Sequence, residues 1–202
     1  MEEEHIQKKI SYFLKEETHC HVCSHRFNKE EMLSGRGRLI ARDINNELRR
    51  NYDENPKFGK IYPSAYSLSV CPNCWHSAFP KDFDNVLPES VDLLRSLSEY
   101  RKKVIQEIFA PSVVDFYEPR NLLSGAASYI LGVMSYSFYP PQSSPTVKRA
   151  LLSLRGAWLM EDLAKEFPNQ KNKFFKVQEI LYFKAKNYYN LSYELSITNK
   201  ER

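Results

Sequence analysis

Cys20-His-Val-Cys23 and Cys71-Pro-Asn-Cys74 are the two stretches that decide how this chain folds. They contain all four cysteines of the 202-residue sequence, in two pairs of identical spacing. A Cys-x-x-Cys turn brings two thiolates to one side of the backbone, about 4 Å apart, which suits the sulfur ligands of one metal ion. Two such pairs therefore predict a single metal site built from Cys20, Cys23, Cys71 and Cys74.

The predicted set of ligands is that of a structural zinc ion. Four thiolates fill the tetrahedral coordination shell of Zn²⁺ and leave no position open for water or substrate. One zinc ion per chain is therefore expected to stabilise the fold instead of catalysing a reaction. Buried or free thiols, a redox-active Cys-x-x-Cys and an iron–sulfur cluster are the alternatives that the spacing leaves open.

Four histidines lie within two residues of a cysteine pair. Each could replace a cysteine as a metal ligand. Histidines beside such turns commonly point outward, however, so we expect them next to the ligands or in solvent. They are His19, His21, His25 and His76.

The 47 residues between the pairs, 24–70, form an insertion that must fold over the metal site. Gly35 and Gly37 predict a loop. Residues 43–52 favour a short helix, and the alternating pattern over 62–70 predicts a strand that leads into Cys71. A strand is likewise expected before Cys20, as in zinc ribbons.

The insertion is also rich in arginine. Within segment 36–60 the arginines lie near Tyr52 and Tyr62, a combination typical of surfaces that bind single-stranded nucleic acid. The alternative is a solvated loop whose charges pair with neighbouring acids such as Asp53. The candidate contacts to nucleic acid or to another partner are Arg36, Arg38, Arg42, Arg49 and Arg50.

The charge of the chain argues against a simple DNA-binding finger. The net charge is +4, but the positive excess lies in residues 91–202, while residues 1–90 are close to neutral. Four thiolates and one Zn²⁺ would add two negative charges to the cysteine-containing part. Proteins that bind the nucleic-acid backbone usually carry a strongly basic face.

From residue 88 onward the hydrophobic periodicity is helical. Apolar residues recur at helical spacing over three ranges, 88–109, 145–166 and 173–195. Residues 121–138 predict a buried helix whose Gly125 and Gly132 let neighbouring helices approach closely. Short connections between helices of similar length favour antiparallel neighbours.

No charged residue occurs between residues 121 and 147. This stretch contains several serines and ends in Pro140-Pro141, and its most apolar part is shorter than the roughly 20 residues that a bilayer requires. We therefore expect a buried helix and no membrane span. The start of the sequence, Met-Glu-Glu-Glu-His, does not have the pattern of a secretory signal, so a cytoplasmic location is expected.

The chain resembles a bacterial family known as domain of unknown function 2225. The resemblance covers residues 20–195 and rests on both cysteine pairs and on motifs around them: Arg42-Asp43, Tyr52, Asn55-Pro56, Tyr66-x-x-x-Val70-Cys71-Pro-x-Cys74, Ala78-Phe79, Asp82-Phe83, Ala127-Ser-Tyr129 and Leu154-Arg-x-Ala-Trp-Leu159. It implies a zinc-ribbon-like module joined to a tetratricopeptide-like helical part, and it implies no activity. The family pattern has glycine where this chain has Trp75.

These features predict an α+β fold that is mostly α. A small zinc-ribbon-like β module over 1–86 precedes an antiparallel, tetratricopeptide-like helical bundle over 87–202. The sequence contains no GxSxG, P-loop, HExxH or GxGxxG motif. The leading hypothesis is a non-enzymatic zinc-binding protein that binds a protein partner. A nucleic-acid-binding zinc module that uses 36–60 is the second, and an enzyme whose metal is held by fewer cysteines plus a histidine is the third.

Overall fold

Three separate antiparallel strand pairs form the N-terminal part of the chain in a computed structural model that describes residues 9–46 and 48–201. β1 (Ser11–His19) pairs with β2 (Arg26–Met32), β3 (Ile40–Ile44) with β4 (Arg50–Asp53), and β5 (Ser69–Val70) with β6 (Ser77–Ala78). One cysteine pair lies in the turn between β1 and β2, and the other lies between β5 and β6. The predicted strand before each cysteine pair is confirmed.

Six helices follow the second cysteine pair. They are α1 (Pro80–Phe83), α2 (Pro88–Ser96), α3 (Ser98–Phe109), α4 (Leu122–Ser135), α5 (Pro145–Glu166) and α6 (Lys171–Ile197). Gly132 of α4 faces Leu152 of α5, and Gly156 of α5 faces Tyr129 of α4, so α4 and α5 run antiparallel. The α+β, mostly α fold class is confirmed.

Helix α4 lies within the long uncharged stretch, residues 121–147. Its N-terminus is closed by a reciprocal capping box, in which Asn121 Oδ1 accepts from the Ser124 amide at 2.9 Å and Ser124 Oγ accepts from the Asn121 amide at 3.1 Å. The helix is buried along nearly its whole length, between β6 and α5. Within residues 9–46 and 48–201, no helix combines the length and the hydrophobicity that crossing a membrane requires.

The N-terminus of α5 is capped by a residue from the far end of the chain. The Thr146 amide and hydroxyl donate to the buried carboxylate of Glu201, at 2.5 and 2.6 Å. Ser144 and Pro145 correctly marked the start of this helix, but the Ser144 side chain is not its cap. Because Glu201 follows α6, this contact also fixes α6 antiparallel to α5.

Three predicted elements differ from the structure. Residues 43–46 and 48–52 form the turn and part of the β3–β4 hairpin instead of a helix, and the Asn45 side chain accepts from the Arg49 amide at 2.9 Å to close that turn. Residues 63–66 form a 3-10 turn that begins at Pro63, so the strand is shortened to Ser69–Val70. The helix expected over 88–109 is divided at Leu97 into α2 and α3.

The N-terminal part that contains the cysteines and the helical part share one hydrophobic core. A continuous cluster of buried side chains extends from Cys20 and Val22, through α4, to Phe174 and Leu181 of α6. The Ser77 hydroxyl of β6 donates to the Ser128 carbonyl of α4 at 2.9 Å. Damage at the cysteines is therefore expected to reach the helical packing. The division at residues 86 and 87 remains a prediction.

Replacement of Gly125 by alanine should separate α4 from the 3-10 turn at residues 63–66. An added Cβ would contact the Cβ of Ala65 and would lie 2.9 Å from its backbone Cα, which cannot rotate away. We expect the free energy of unfolding to fall by about 2 kcal/mol, measured by urea denaturation. Gly35→Ala is the matched control, because nothing lies within 4 Å of the added atom. Equal stability of the two variants would contradict this packing.

Candidate metal centre

The two cysteine turns are built in the same way. The amide after the second cysteine donates to the carbonyl of the first, from Ser24 to Cys20 at 2.7 Å and from Trp75 to Cys71 at 2.9 Å. The amide of the first cysteine donates to the carbonyl five residues later, in each turn at 2.9 Å. These bonds fold each Cys-x-x-Cys segment so that both sulfurs lie on the same side.

The four sulfur atoms converge in the space between the two turns. Cys20 Sγ lies 3.7 Å from Cys74 Sγ, and Cys23 Sγ lies 3.6 Å from Cys71 Sγ. All four lie within 4.8 Å of one another, and three of the four residues are buried. Four sulfurs at metal distances of about 2.3 Å in a tetrahedron are separated by about 3.8 Å. The cluster therefore has the dimensions of a tetrahedral metal site.

The thiols of this cluster cannot all ionise unless a cation joins them. The pKa of Cys20 is lowered to about 4, chiefly because the thiols of Cys71 and Cys74 would donate hydrogen bonds to its thiolate. The pKa of Cys71 is raised, because it is a hydrogen-bond donor beside that negative charge. A divalent cation removes this repulsion and lets all four sulfurs bind as thiolates. The donor set therefore fits a metal ion chemically as well as geometrically.

Trp75 adopts the backbone conformation for which the family pattern uses glycine. Its φ is 55°, and Ser24, at the equivalent position of the first turn, has a φ of 61°. The side chain of Trp75 is held by packing edge-on against Phe116, with ring centroids 5.3 Å apart, and by an indole N–H that donates to the Pro72 carbonyl at 3.1 Å. The two turns therefore keep the same shape although neither has glycine there.

Trp75→Gly should destabilise the protein in spite of relieving backbone strain. Glycine recovers about 1 kcal/mol of left-handed strain, but the loss of a buried tryptophan costs about 3 kcal/mol or more. We expect a net loss of about 2 kcal/mol in chemical denaturation. Ser24→Gly is the matched control, because Ser24 has a similar left-handed φ and an exposed side chain. It should leave stability unchanged or raise it, and a loss as large as that of Trp75→Gly would exclude packing as the cause.

None of the four flanking histidines joins the sulfur cluster. His19 and His21 are exposed, with ring centroids 4.5 Å apart, and His25 is half-buried against Phe27. His76 is fully buried, with Nε2 3.2 Å from the Tyr139 hydroxyl, and burial lowers its pKa to about 4. The expectation that they lie beside the ligands or in solvent agrees with these positions.

Two of the five candidate arginines are used in internal ion pairs. The Arg49 guanidinium contacts the carboxylate of Asp162 on α5 and lies 3.5 Å from that of Glu161. Arg42 pairs with Asp53 across the β3–β4 hairpin. Arg49 therefore attaches the insertion to the helical bundle, and the structure gives it a role that the arginine-rich pattern did not indicate.

The other three candidate arginines lie nearer to solvent. Arg38 is half-buried, stacks on Phe58 at 5.2 Å from the ring centroid, and donates to the Gly35 carbonyl at 2.8 Å. Arg36 and Arg50 are exposed, and neither pairs with an acidic side chain in the described part of the chain. The five arginines therefore do not form one continuous basic surface.

Two arginines that the sequence reasoning did not select support the cysteine turns. Arg101 Nη2 of α3 donates to the Cys74 carbonyl at 2.8 Å, and Arg95 Nε of α2 donates to the Val22 carbonyl at 2.8 Å. Arg101 lies seven residues after Leu94 and four before Ile105, so it interrupts the apolar stripe of the predicted helix. A charged residue on an apolar stripe was the signal that could have identified it.

Comparison with known proteins identifies relatives of this chain. A family model described as "Uncharacterized protein conserved in bacteria (DUF2225)" matches residues 13–202. An "Uncharacterized protein" of Borreliella burgdorferi is 43% identical over 194 residues, which are 96% of this chain and 68% of the relative. No solved structure matches the chain. The sequence motifs and the family match agree, and this chain belongs to the bacterial DUF2225 family.

Proposed function

We propose that this chain is a non-enzymatic scaffold whose N-terminal module is stabilised by one zinc ion and whose helices bind a protein partner. The observation that carries the proposal is the cluster of four sulfurs at tetrahedral spacing. Four thiolates saturate Zn²⁺, so neither water nor substrate reaches the metal. The proposal includes a cytoplasmic location, where reducing conditions keep cysteine thiols available to a metal.

The exposed side of α6 is the surface that we assign to the partner. Ile180, Phe183 and Ile197 are more than half exposed on this helix, and Tyr193 is 68% exposed. Helix α6 packs against α5 along one side, which leaves these side chains in solvent. Exposed apolar and aromatic residues on one helix are typical of protein-binding surfaces.

Metal analysis and cobalt substitution test the zinc part of this proposal. Protein purified without chelator should contain about one zinc ion per chain. The cobalt form should show the charge-transfer bands of four sulfur ligands. A clearly sub-stoichiometric zinc content, or a cobalt spectrum with fewer sulfurs, would contradict a structural four-cysteine site.

Site-specific photocrosslinking tests the partner surface. A photoreactive residue at position 183 should capture a defined protein in the source cell, and Phe183→Asp should abolish the interaction in purified components. Position 103 of α3 is the matched control, because Lys103 is 75% exposed but lies on another helix. Equal capture from positions 103 and 183 would argue against α6 as the surface.

Nucleic-acid binding is the second candidate function, and one local observation favours it. A cavity of about 370 Å³ between the insertion and α5 is lined by Arg50, Tyr52, Tyr62 and Arg155. Both rings are half-buried, and cations beside partly accessible rings suit a single-stranded backbone with stacked bases. This hypothesis predicts affinity that falls steeply with salt and with Arg50→Ala. Affinity that is independent of salt, or no binding at low salt, would remove it.

A further inference from the structure

Arg101 is the most deeply buried cation beside the metal centre. Its side chain lies in the core with 2% of its surface exposed. Nη1 donates to the Leu94 carbonyl at 2.7 Å and Nη2 to the Cys74 carbonyl at 2.8 Å, while Nε has no hydrogen-bond partner. Neutral carbonyl groups therefore receive its hydrogen bonds, and they do not neutralise its charge.

A buried guanidinium ordinarily requires an anion. Removal of a charge from water costs several kcal/mol unless an opposite charge lies close by. Over residues 9–46 and 48–201, no carboxylate lies within ion-pair distance of Arg101. The negative groups that act on it are the sulfurs of Cys74, Cys20 and Cys71.

The metal centre has the charge that Arg101 requires. Four thiolates with one divalent cation carry a net charge of −2, whereas the metal-free thiols cannot all ionise and carry less negative charge. We propose that Arg101 is the counter-charge of the metal–thiolate centre and that it makes the stability of the helical half depend on the metal. This inference rests on the proposed function, since it assumes that the four cysteines bind zinc.

The position of Arg101 connects the two parts of the chain. The same α3 turn supplies Ser98, whose hydroxyl also donates to the Cys74 carbonyl, at 3.1 Å. Arg101 is flanked in the core by Leu94 and Ile105, both fully buried. Without metal, the guanidinium would remain in this apolar setting with less negative charge beside it, and packing of α2 and α3 would weaken.

The proposal predicts that one substitution has unequal effects on the zinc-loaded and the metal-free protein. Arg101→Met should lower the thermal midpoint of the zinc-loaded protein, because it removes the counter-charge. The same variant should lower the midpoint of the metal-free protein by much less, because less negative charge faces the guanidinium there. Because the zinc-loaded protein is destabilised more than the metal-free protein, zinc binding weakens, and we expect about a 10- to 100-fold loss of affinity in competition with a chromogenic chelator.

Two further variants separate charge from hydrogen bonding. Arg101→Lys keeps the charge and should recover much of the affinity that Arg101→Met loses. Arg95→Met is the matched control: Arg95 also donates to a carbonyl of a cysteine turn, but its side chain is 56% exposed and needs no anion. Its zinc affinity should remain close to that of the wild type.

The outcomes are distinct. Equal lowering of the midpoint by Arg101→Met in both states, or an affinity equal to that of Arg95→Met, would overturn the role of Arg101. If the metal-free chains show no cooperative transition, the affinity comparison decides by itself. Wild-type protein that binds no added Zn²⁺ would overturn the proposed function itself, independently of Arg101.

Discussion

Cys71→Ser should abolish metal binding and unfold the N-terminal module. A serine hydroxyl is a poor replacement for a thiolate on zinc, and structural zinc in small modules contributes about 10–16 kcal/mol. That contribution is comparable with the whole stability of a typical domain, about 5–15 kcal/mol. Far-ultraviolet dichroism should keep much of its helical signal, while limited proteolysis should cut within the inserted segment 24–70.

The shared core sets the further consequence of this substitution. Leu68 and Val70 precede the second cysteine pair and are buried in the cluster that contains α4. When the module unfolds, one side of α4 loses its cover, so the remaining helical signal should melt at a lower temperature. His21→Ser is the control, because His21 lies between Cys20 and Cys23 but is exposed. Wild-type zinc content and proteolysis in Cys71→Ser would show that the cysteines do not support the fold.

The features that the sequence predicted are those determined locally. The spacing of each cysteine pair predicts two sulfurs on one side of the backbone, because the hydrogen bonds that shape the pair lie within one turn. Helices α4, α5 and α6 follow from apolar periodicity, capping residues and proline positions, which also act within a few residues. The strand before Cys20 and the short strand before Cys71 follow from the same neighbourhood.

The features that the sequence did not predict depend on distant partners. Arg49 contacts Asp162, which is 113 residues away, and the Thr146 amide is capped by Glu201, 55 residues away. The sequence pattern of an arginine-rich segment is the same whether its charges face solvent or a distant carboxylate. The β3–β4 hairpin was not predicted for a similar reason. Its strands show no hydrophobic alternation, and the sequence does not reveal the ion pair between Arg42 and Asp53 that joins them. Only the folded chain shows which charges are paired internally.

Arg49→Met should destabilise the protein by about 3 kcal/mol, because it leaves Asp162 buried without its partner. The side chains of Arg49 and Asp162 are 15% and 8% exposed, so water screens their interaction weakly. Burial already raises the pKa of Asp162, and Arg49 opposes that rise. In the variant this opposition is lost, and the pKa of the folded state rises further.

The pH dependence of Arg49→Met follows from the direction of that shift. A carboxyl group whose pKa is higher in the folded state than in the unfolded state contributes stability at low pH and loses it as pH rises through the folded pKa. The deficit of the variant relative to the wild type should therefore grow from about pH 4, the unfolded value, toward neutral pH. Metal loss in acid affects both proteins, so the difference between their denaturation curves isolates Asp162.

The double variant Arg49→Met with Asp162→Asn provides the matched control. Asparagine removes the unpaired charge while it keeps a similar shape, so the double variant should be more stable than Arg49→Met at neutral pH and should lose the pH-dependent deficit. If both variants are equally unstable, the defect comes from lost packing of Arg49 over the Trp158 ring, 6.0 Å from its centroid. If Arg49→Met is instead as stable as the wild type, the fold does not need Arg49, and Arg49 is again a candidate contact for an external partner.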